Sequence, residues 1–313
     1  MKIAVVMQVT EEQKEWFRKA APDAHFTYGE DPADLKEAEV IIGNISPREI
    51  KHLPKLKWLQ LETAGARSYC LPGLVPESVL LTNATGAYGL NIAEHILGMV
   101  LGLMKNFPRY EENRKAHLWK DEGAVRTLFG STVLIVGFGD LGRCFGRLAK
   151  ALGAHVIGIR RRSTALQPEA DEMETMDHLN DCLARADVVV SCLPDTKDTE
   201  GLYSAQRFAA MKKGVLFVNV GRGSAVIQEA LIDALRSGQV GGAALDVTNP
   251  EPLPVDDPLW DAPNLMITPH VSGGFHAKTT WDRVAAIAAD NLTRYCAGQP
   301  LKNLVDRETG YRK

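Results

Sequence analysis

Residues 131–163 read STVLIVGFGDLGRCFGRLAKALGAHVIGIRRRS, and the fold turns on how they are read. The run VLIVG (133–137) has the length and β-branched content of a buried strand. Glycines follow at Gly137, Gly139 and Gly142 in the pattern G-x-G-x-x-G. Leu141, Phe145, Leu148 and Leu152 then recur at the three- and four-residue spacing of an amphipathic helix. A second apolar run, HVIGI (155–159), completes a strand–turn–helix–strand unit. The glycine pattern alone is weak, but a strand before it and a helix after it give it a mechanism. Gly137 allows the tight turn, Gly139 lets a backbone approach a pyrophosphate, and Gly142 lets the helix pack against the strand. The anion then meets the unpaired N–H groups of the helix N-terminus, with Asp140 and Leu141 beside it. The stretch therefore predicts a dinucleotide-binding βαβ unit.

Its far end carries a second message. Eighteen residues after Gly142, where an NAD-binding unit places an acidic residue for the ribose hydroxyls, stand Arg160, Arg161 and Arg162, followed by Ser163. An arginine cannot accept those hydroxyl hydrogen bonds but is suited to gripping a phosphate. One Arg–phosphate pair at about 4 Å attracts by roughly 4 kcal/mol at an effective dielectric of 20. Solvent screening leaves about 1–2 kcal/mol, or roughly 5- to 30-fold in affinity. The arginine run predicts NADP(H) in preference to NAD(H).

Working outward, short apolar runs alternate with amphipathic stretches along most of the 313 residues. Strands are expected at 2–7, 39–43, 56–61, 133–137, 155–159, 187–191, 215–219, 243–247 and 265–269. That alternation predicts an α/β protein with parallel sheets covered on both faces. The length predicts two domains. The longest helical pattern, 91–118, is apolar almost all round in its first half and carries Pro108, where a kink is expected. Such a helix needs burial on several sides: between domains, at a dimer interface, or as a core helix of one domain. A net charge of −3 argues against a general nucleic-acid binder, and no apolar stretch is long enough to span a membrane. Five scattered cysteines without a C-x-x-C pair predict neither a disulfide framework nor a metal site, and fit a cytoplasmic protein.

Three later segments end a strand in polar residues: VLFVNVGRGSAV with Arg222, GGAALDVTNPEPLP with Asp246 and Glu251, and NLMITPHVSGG with His270. In an open α/β sheet the carboxyl ends of the strands form the ligand crevice, so these residues face the region of the glycine turn. Together with VGFGDLG, the block from LPDTKDTEG (193–201) to MITPH (266–270), and TGAYGLNIAEH (85–95), they resemble the D-isomer-specific 2-hydroxyacid dehydrogenases over nearly the whole chain. The 29 residues from Arg222 to Glu251 and the 19 from Glu251 to His270 match that family's Arg–Glu–His spacing.

The resemblance implies two doubly wound parallel-sheet domains, a Rossmann cofactor domain (99–274) inserted in a flavodoxin-like substrate domain (1–98 and 275–313). It implies NADPH-dependent reduction of a small 2-keto acid to the D-2-hydroxy acid. His270 would be the proton donor, Glu251 would orient its ring, and Arg222 would bind and polarise the substrate, which is chemistry that a titratable imidazole and a guanidinium suit. Asp246 would hold the nicotinamide carboxamide, while Cys192, Leu193, Pro194 and Val220 would flank the cofactor. The loop at Ala64, Gly65 and Ala66 would hold the substrate carboxylate on backbone N–H groups. Tyr88, with Phe275, His276 or Trp281, would line the pocket. GAYGLN before the long helix and HVSGGFHAKTTW after the histidine depart from the commoner family pattern and leave substrate size open. A homodimer is expected. A non-catalytic NADPH-binding regulator on the same fold, or a formate- or phosphite-type dehydrogenase, are the competing expectations.

Overall fold

The computed structural model describes residues 1–274, 277–308 and 310–312. The chain forms two compact units, Met1–Tyr88 with Phe275–Lys313, and Gly89–Gly274. In chain order the first unit opens with β1 (Lys2–Val5), α1 (Glu11–Ala20), β2 (His25–Tyr28), α2 (Pro32–Glu37), β3 (Val40–Ile42), α3 (Pro47–Ile50), β4 (Trp58–Gln60) and β5 (Leu80–Thr82). The second unit contains α4 (Gly89–Met104), α5 (Phe107–Lys115), β6 (Thr132–Val136), α6 (Asp140–Ala151), β7 (His155–Arg160), β8 (Glu172–Thr175), α7 (Leu179–Arg185), β9 (Val188–Ser191), α8 (Ala205–Ala209), β10 (Val215–Asn219), α9 (Gln228–Arg236), β11 (Val240–Leu245) and β12 (Leu265–Ile267). The chain then returns to the first unit with α10 (Lys278–Cys296), β13 (Val305–Asp306) and β14 (Tyr311–Arg312).

The first unit is a five-stranded parallel sheet in the order β2-β1-β3-β4-β5, the flavodoxin-like arrangement. Thr10 starts α1 with a capping box, its hydroxyl accepting from the Gln13 N–H while the Gln13 side chain accepts from the Thr10 N–H. The other end of the unit is sealed by α10. Gln13 Nε2 donates to Asp282 Oδ1 at 2.9 Å, Asn291 Nδ2 donates to Gln60 Oε1 at 2.8 Å, and Tyr295 stacks on the buried Trp58.

The second unit is a seven-stranded parallel sheet in the order β12-β11-β10-β9-β6-β7-β8. Strand order reverses between β6 and β9, so a crevice opens there at the carboxyl ends of the strands. Parallel strands with helices on both faces must be apolar throughout, and VLFVN of β10 is buried at all five positions. Phe217 of that strand meets Tyr203 and Phe208 edge-on at ring-centroid distances of 4.8 and 5.4 Å. Burying each such ring contributes about 1.5–3 kcal/mol.

Two features of the long helical pattern differ from expectation. Pro108 does not kink one helix. The chain breaks at Asn106, whose φ of 58° is left-handed, and Pro108 sits in the first turn of a separate helix, α5, where its missing N–H costs nothing. The unit boundary also falls at Tyr88/Gly89, whereas the sequence reading divides the helix at 98/99. The physical reason is that α4 is a core helix of the second unit, buried at Ile92, Ala93, Ile96, Met99, Val100 and Leu103. A Cβ at Gly89 would come within 2.8 Å of Cys144 and Asp140 on α6, so the helices touch from the first turn of α4 onward.

Candidate active site

The glycine turn divides its labour among three positions. Gly137 has φ +95°, and a Cβ there would lie 2.7 Å from the Cys192 carbonyl oxygen, so the turn and the end of β9 meet backbone to backbone. At Gly142 a Cβ would lie 2.7 Å from the Gly137 oxygen and 3.0 Å from Ile135, which fixes how closely α6 packs on β6. A Cβ at Gly139 would meet nothing within 4 Å. That open space above the N-terminus of α6, flanked by Asp140 and Leu141, is where a dinucleotide pyrophosphate fits.

The three arginines do not stand alike. Arg160, the last residue of β7, folds back so that its Nε donates to the Phe138 carbonyl at 2.7 Å, fastening the side chain to the glycine turn. Arg161 and Arg162 are exposed. The Ser163 hydroxyl accepts from the Ala165 N–H and shapes the loop that follows. On the other side of the switch point, Cys192, Leu193 and Pro194 continue from β9, and the buried Val220 continues from β10, donating its N–H to the Ser191 carbonyl. Burial pushes the Cys192 thiol up to about 12, so it remains protonated and offers no nucleophile at neutral pH.

Arg222 is placed by the loop after β10. The Asn219 side chain spans that loop, donating to the Arg222 carbonyl at 2.9 Å and accepting from the Gly221 N–H at 3.1 Å. Arg222 Nη1 donates to the Gly221 carbonyl at 2.6 Å. A Cβ at Gly223 would lie 1.9 Å from the Thr248 carbonyl oxygen, so this loop lies directly against the one carrying Glu251. Glu251 accepts from the Thr248 N–H at 3.1 Å through Oε1, and its Oε2 lies 2.7 Å from His270 Nδ1. With Nδ1 donating to the carboxylate, Nε2 of His270 is left to face outward, and the side chain is 46% exposed. Asp246 is different. Its side chain is buried, Oδ1 accepts from the Thr268 hydroxyl at 2.6 Å and the Val271 N–H at 2.9 Å, and Oδ2 accepts from the Ser272 N–H at 3.0 Å. Three of the roughly four acceptor directions of a carboxylate are thus held by the loop around His270.

In the first unit the loop after β4 carries Ala64, Gly65 and Ala66. Thr63 Oγ1 donates to the Gly65 carbonyl and Asn83 Nδ2 to the Ala64 carbonyl, which turns those oxygens inward. The Ala66 N–H is already given to the Gly310 carbonyl, while those of Ala64 and Gly65 meet no acceptor among the described residues. Tyr88 is buried and donates its hydroxyl to the Glu62 carbonyl, so its phenol braces the loop. Burial raises the Glu62 carboxyl above the usual carboxylate range, with Glu30 adding to the effect. Trp281 lies half-buried on α10, and Phe275 and His276 lie outside the described residues.

Residues 97–272 match the family described as D-isomer specific 2-hydroxyacid dehydrogenase, NAD binding domain. A glyoxylate/hydroxypyruvate reductase B from Pectobacterium carotovorum is 32% identical over 311 residues, covering 92% of this chain and 94% of its own. The chain belongs to the D-isomer specific 2-hydroxyacid dehydrogenase family. Among solved members, a D-isomer specific 2-hydroxyacid dehydrogenase family protein from Aeromonas salmonicida superposes with a TM-score of 0.84 at 35% identity, covering 98% of this chain and 99% of the other. An NADPH-dependent glyoxylate/hydroxypyruvate reductase from Sinorhizobium meliloti, solved with NADP and sulfate, gives 0.83 at 27% identity, with 99% of each chain covered. As a member of this family the protein is an oxidoreductase with an NAD-binding domain. No helix among the described residues is long and apolar enough to cross a membrane.

Sequence reasoning picked out Arg222, Glu251 and His270, which the fold brings to neighbouring loops at the carboxyl ends of β10, β11 and β12. It passed over His95 and Thr268, which sit behind them. His95 Nε2 lies 3.1 Å from Thr268 Oγ1. Its only sequence signal is a polar residue early in an apolar helix.

Proposed function

We propose that the protein reduces a small 2-keto acid of the glyoxylate or hydroxypyruvate class to the D-2-hydroxy acid with NADPH. The 2.7 Å His270–Glu251 pair, beside the Arg222 loop at the mouth of a dinucleotide-binding sheet, carries this reading. When bound, the cofactor supplies the hydride. Arg222 holds the substrate carboxylate and draws electron density towards the carbonyl oxygen. His270 gives its Nε2 proton to that oxygen as the carbonyl carbon is reduced, and Glu251 keeps the ring in the tautomer and orientation that put Nε2 forward. Asp246 fixes the loop of His270 and keeps one acceptor direction for the nicotinamide amide.

NADP(H) preference is supported by Arg160–Arg162 standing where an acidic residue would otherwise select NAD, and by the relative solved with NADP. Arg160 is pre-positioned on the turn, and Arg161 and Arg162 are free to close on a 2′-phosphate. A homodimer is supported by the apolar residues that the second unit exposes over 107–129, Phe107, Leu118, Trp119 and Phe129 among them. Five cysteines without a disulfide suit a reducing cytoplasm.

The reading is tested by kcat/KM for glyoxylate, hydroxypyruvate and pyruvate with NADPH and with NADH. We expect turnover of at least one keto acid and a preference for NADPH of tenfold or more, reduced by Arg161→Ala and Arg162→Ala. A preference for NADH overturns the cofactor assignment. Binding of NADPH without turnover of any keto acid overturns the reaction.

A further inference from the structure

Asn91 and His95 are four residues apart on α4 and so lie one turn apart on the same face. Both reach the loop 268–272. Asn91 Nδ2 donates to the Ser272 carbonyl at 3.0 Å, and His95 Nε2 meets Thr268 Oγ1 at 3.1 Å. Asp246, at the end of β11, takes the Thr268 hydroxyl, the Val271 N–H and the Ser272 N–H on its carboxylate, and the His270 N–H on its carbonyl at 2.8 Å. His270 stands in the middle of this clamp with φ +54°, a conformation that a residue with a side chain keeps only when its surroundings over-determine it.

The proton inventory fixes the direction of the chain. Thr268 has one hydroxyl proton, and at 2.6 Å it goes to the buried Asp246 carboxylate. The bond between Thr268 and His95 is then possible only with His95 donating from Nε2. His95 Nε2 is itself 3.9 Å from Asp246 Oδ1, so the imidazole, the Thr268 hydroxyl and the carboxylate lie together. Neither Thr268 nor His95 carries a role in the reaction described above, yet each is placed to hold the loop that does.

We propose that His95 is a positioning residue: acting through Thr268 and Asp246, it holds the 268–272 loop so that His270 keeps its left-handed backbone and its alignment on Glu251. This rests on the reading of His270 as the proton donor. A small displacement of an aligned donor is costly in rate, about 10- to 100-fold for shifts of the order of 1 Å.

The test compares His95→Leu, which fills the space without a donor, with His95→Gln, whose side-chain amide can still donate to Thr268. Steady-state kcat and KM are measured with the full chain, alongside NADPH affinity by fluorescence. The imidazole signals of histidine-labelled protein are read by NMR, with the His270 signal assigned by its loss in His270→Ala. We expect His95→Leu to lower kcat about 10- to 100-fold and to shift or broaden the His270 signal, with KM and NADPH affinity within about twofold. His95→Gln should recover most of both readouts. An unchanged His270 signal in His95→Leu overturns the proposal, as does an equal loss in the Gln variant. If the unsubstituted enzyme turns over no keto acid, the reaction assignment fails, and the NMR comparison still decides the role of His95.

Discussion

At the residue scale, the proposed reaction rests on one histidine, and several other residues hold that histidine in place. Replacing His270 with Ala removes the positioned acid, for which a loss of about 10²–10⁴-fold in kcat is expected. NADPH affinity should be preserved, because the glycine turn and the Arg160 anchor lie on other strands. Near-normal kcat in the variant, measured at saturating substrate, would end the case for proton donation. The set Arg222, Glu251 and His270 was visible in the sequence because its members are ordered at fixed spacing, each following an apolar strand. The division among the three arginines was not. Sequence shows three adjacent guanidinium groups. Only the fold shows that Arg160 turns back to the Phe138 carbonyl while its neighbours point to solvent, since side-chain direction at a strand tip depends on the loop beneath it. Asp246 was likewise visible as a polar residue at a strand end, but not as the acceptor of three bonds from the 268–272 loop.

At the element scale, the second and third glycines of the turn make separable predictions. A methyl at Gly142 would sit 2.7 Å from a backbone oxygen, so Gly142→Ala should push α6 off β6, lowering the melting temperature and NADPH affinity together. At Gly139 a methyl meets no protein atom within 4 Å and intrudes only on space a pyrophosphate would fill. Gly139→Ala should therefore melt within about 2 °C of the parent while binding NADPH at least tenfold more weakly. Equal affinity in this variant would show that the cradle is not where the dinucleotide lies. Elements with a clear apolar run were readable, but β2, β5 and β8 were not expected. All three are sheet-edge strands: HFTY of β2 and EMET of β8 have no buried run to announce them, and β5 opens on the exposed Leu80. Periodicity also carried the long helix straight through Asn106, because a left-handed residue breaks a helix without changing the hydrophobic pattern on either side.

At the scale of the whole molecule, the exposed apolar residues of 107–129 predict self-association. Trp119 is fully exposed, and Phe129 is 76% exposed. Sedimentation should give twice the chain mass, and Trp119→Arg combined with Phe129→Arg should shift it towards the monomer. A monomeric parent protein at micromolar concentration would refute the dimer. The insertion of one unit within the other has a consequence for biosynthesis. The ribosome delivers β1 to β5 first, yet α10, which covers Trp58 and bonds Gln60 and Gln13, lies 190 residues beyond Tyr88. At 5–20 residues per second that interval is about 10–40 s. Throughout it, the side of the nascent sheet that α10 covers stays open, while the inserted unit emerges as one continuous piece. The first unit, begun first, is thus the last to be completed, because its covering helix arrives only after the whole of the second unit.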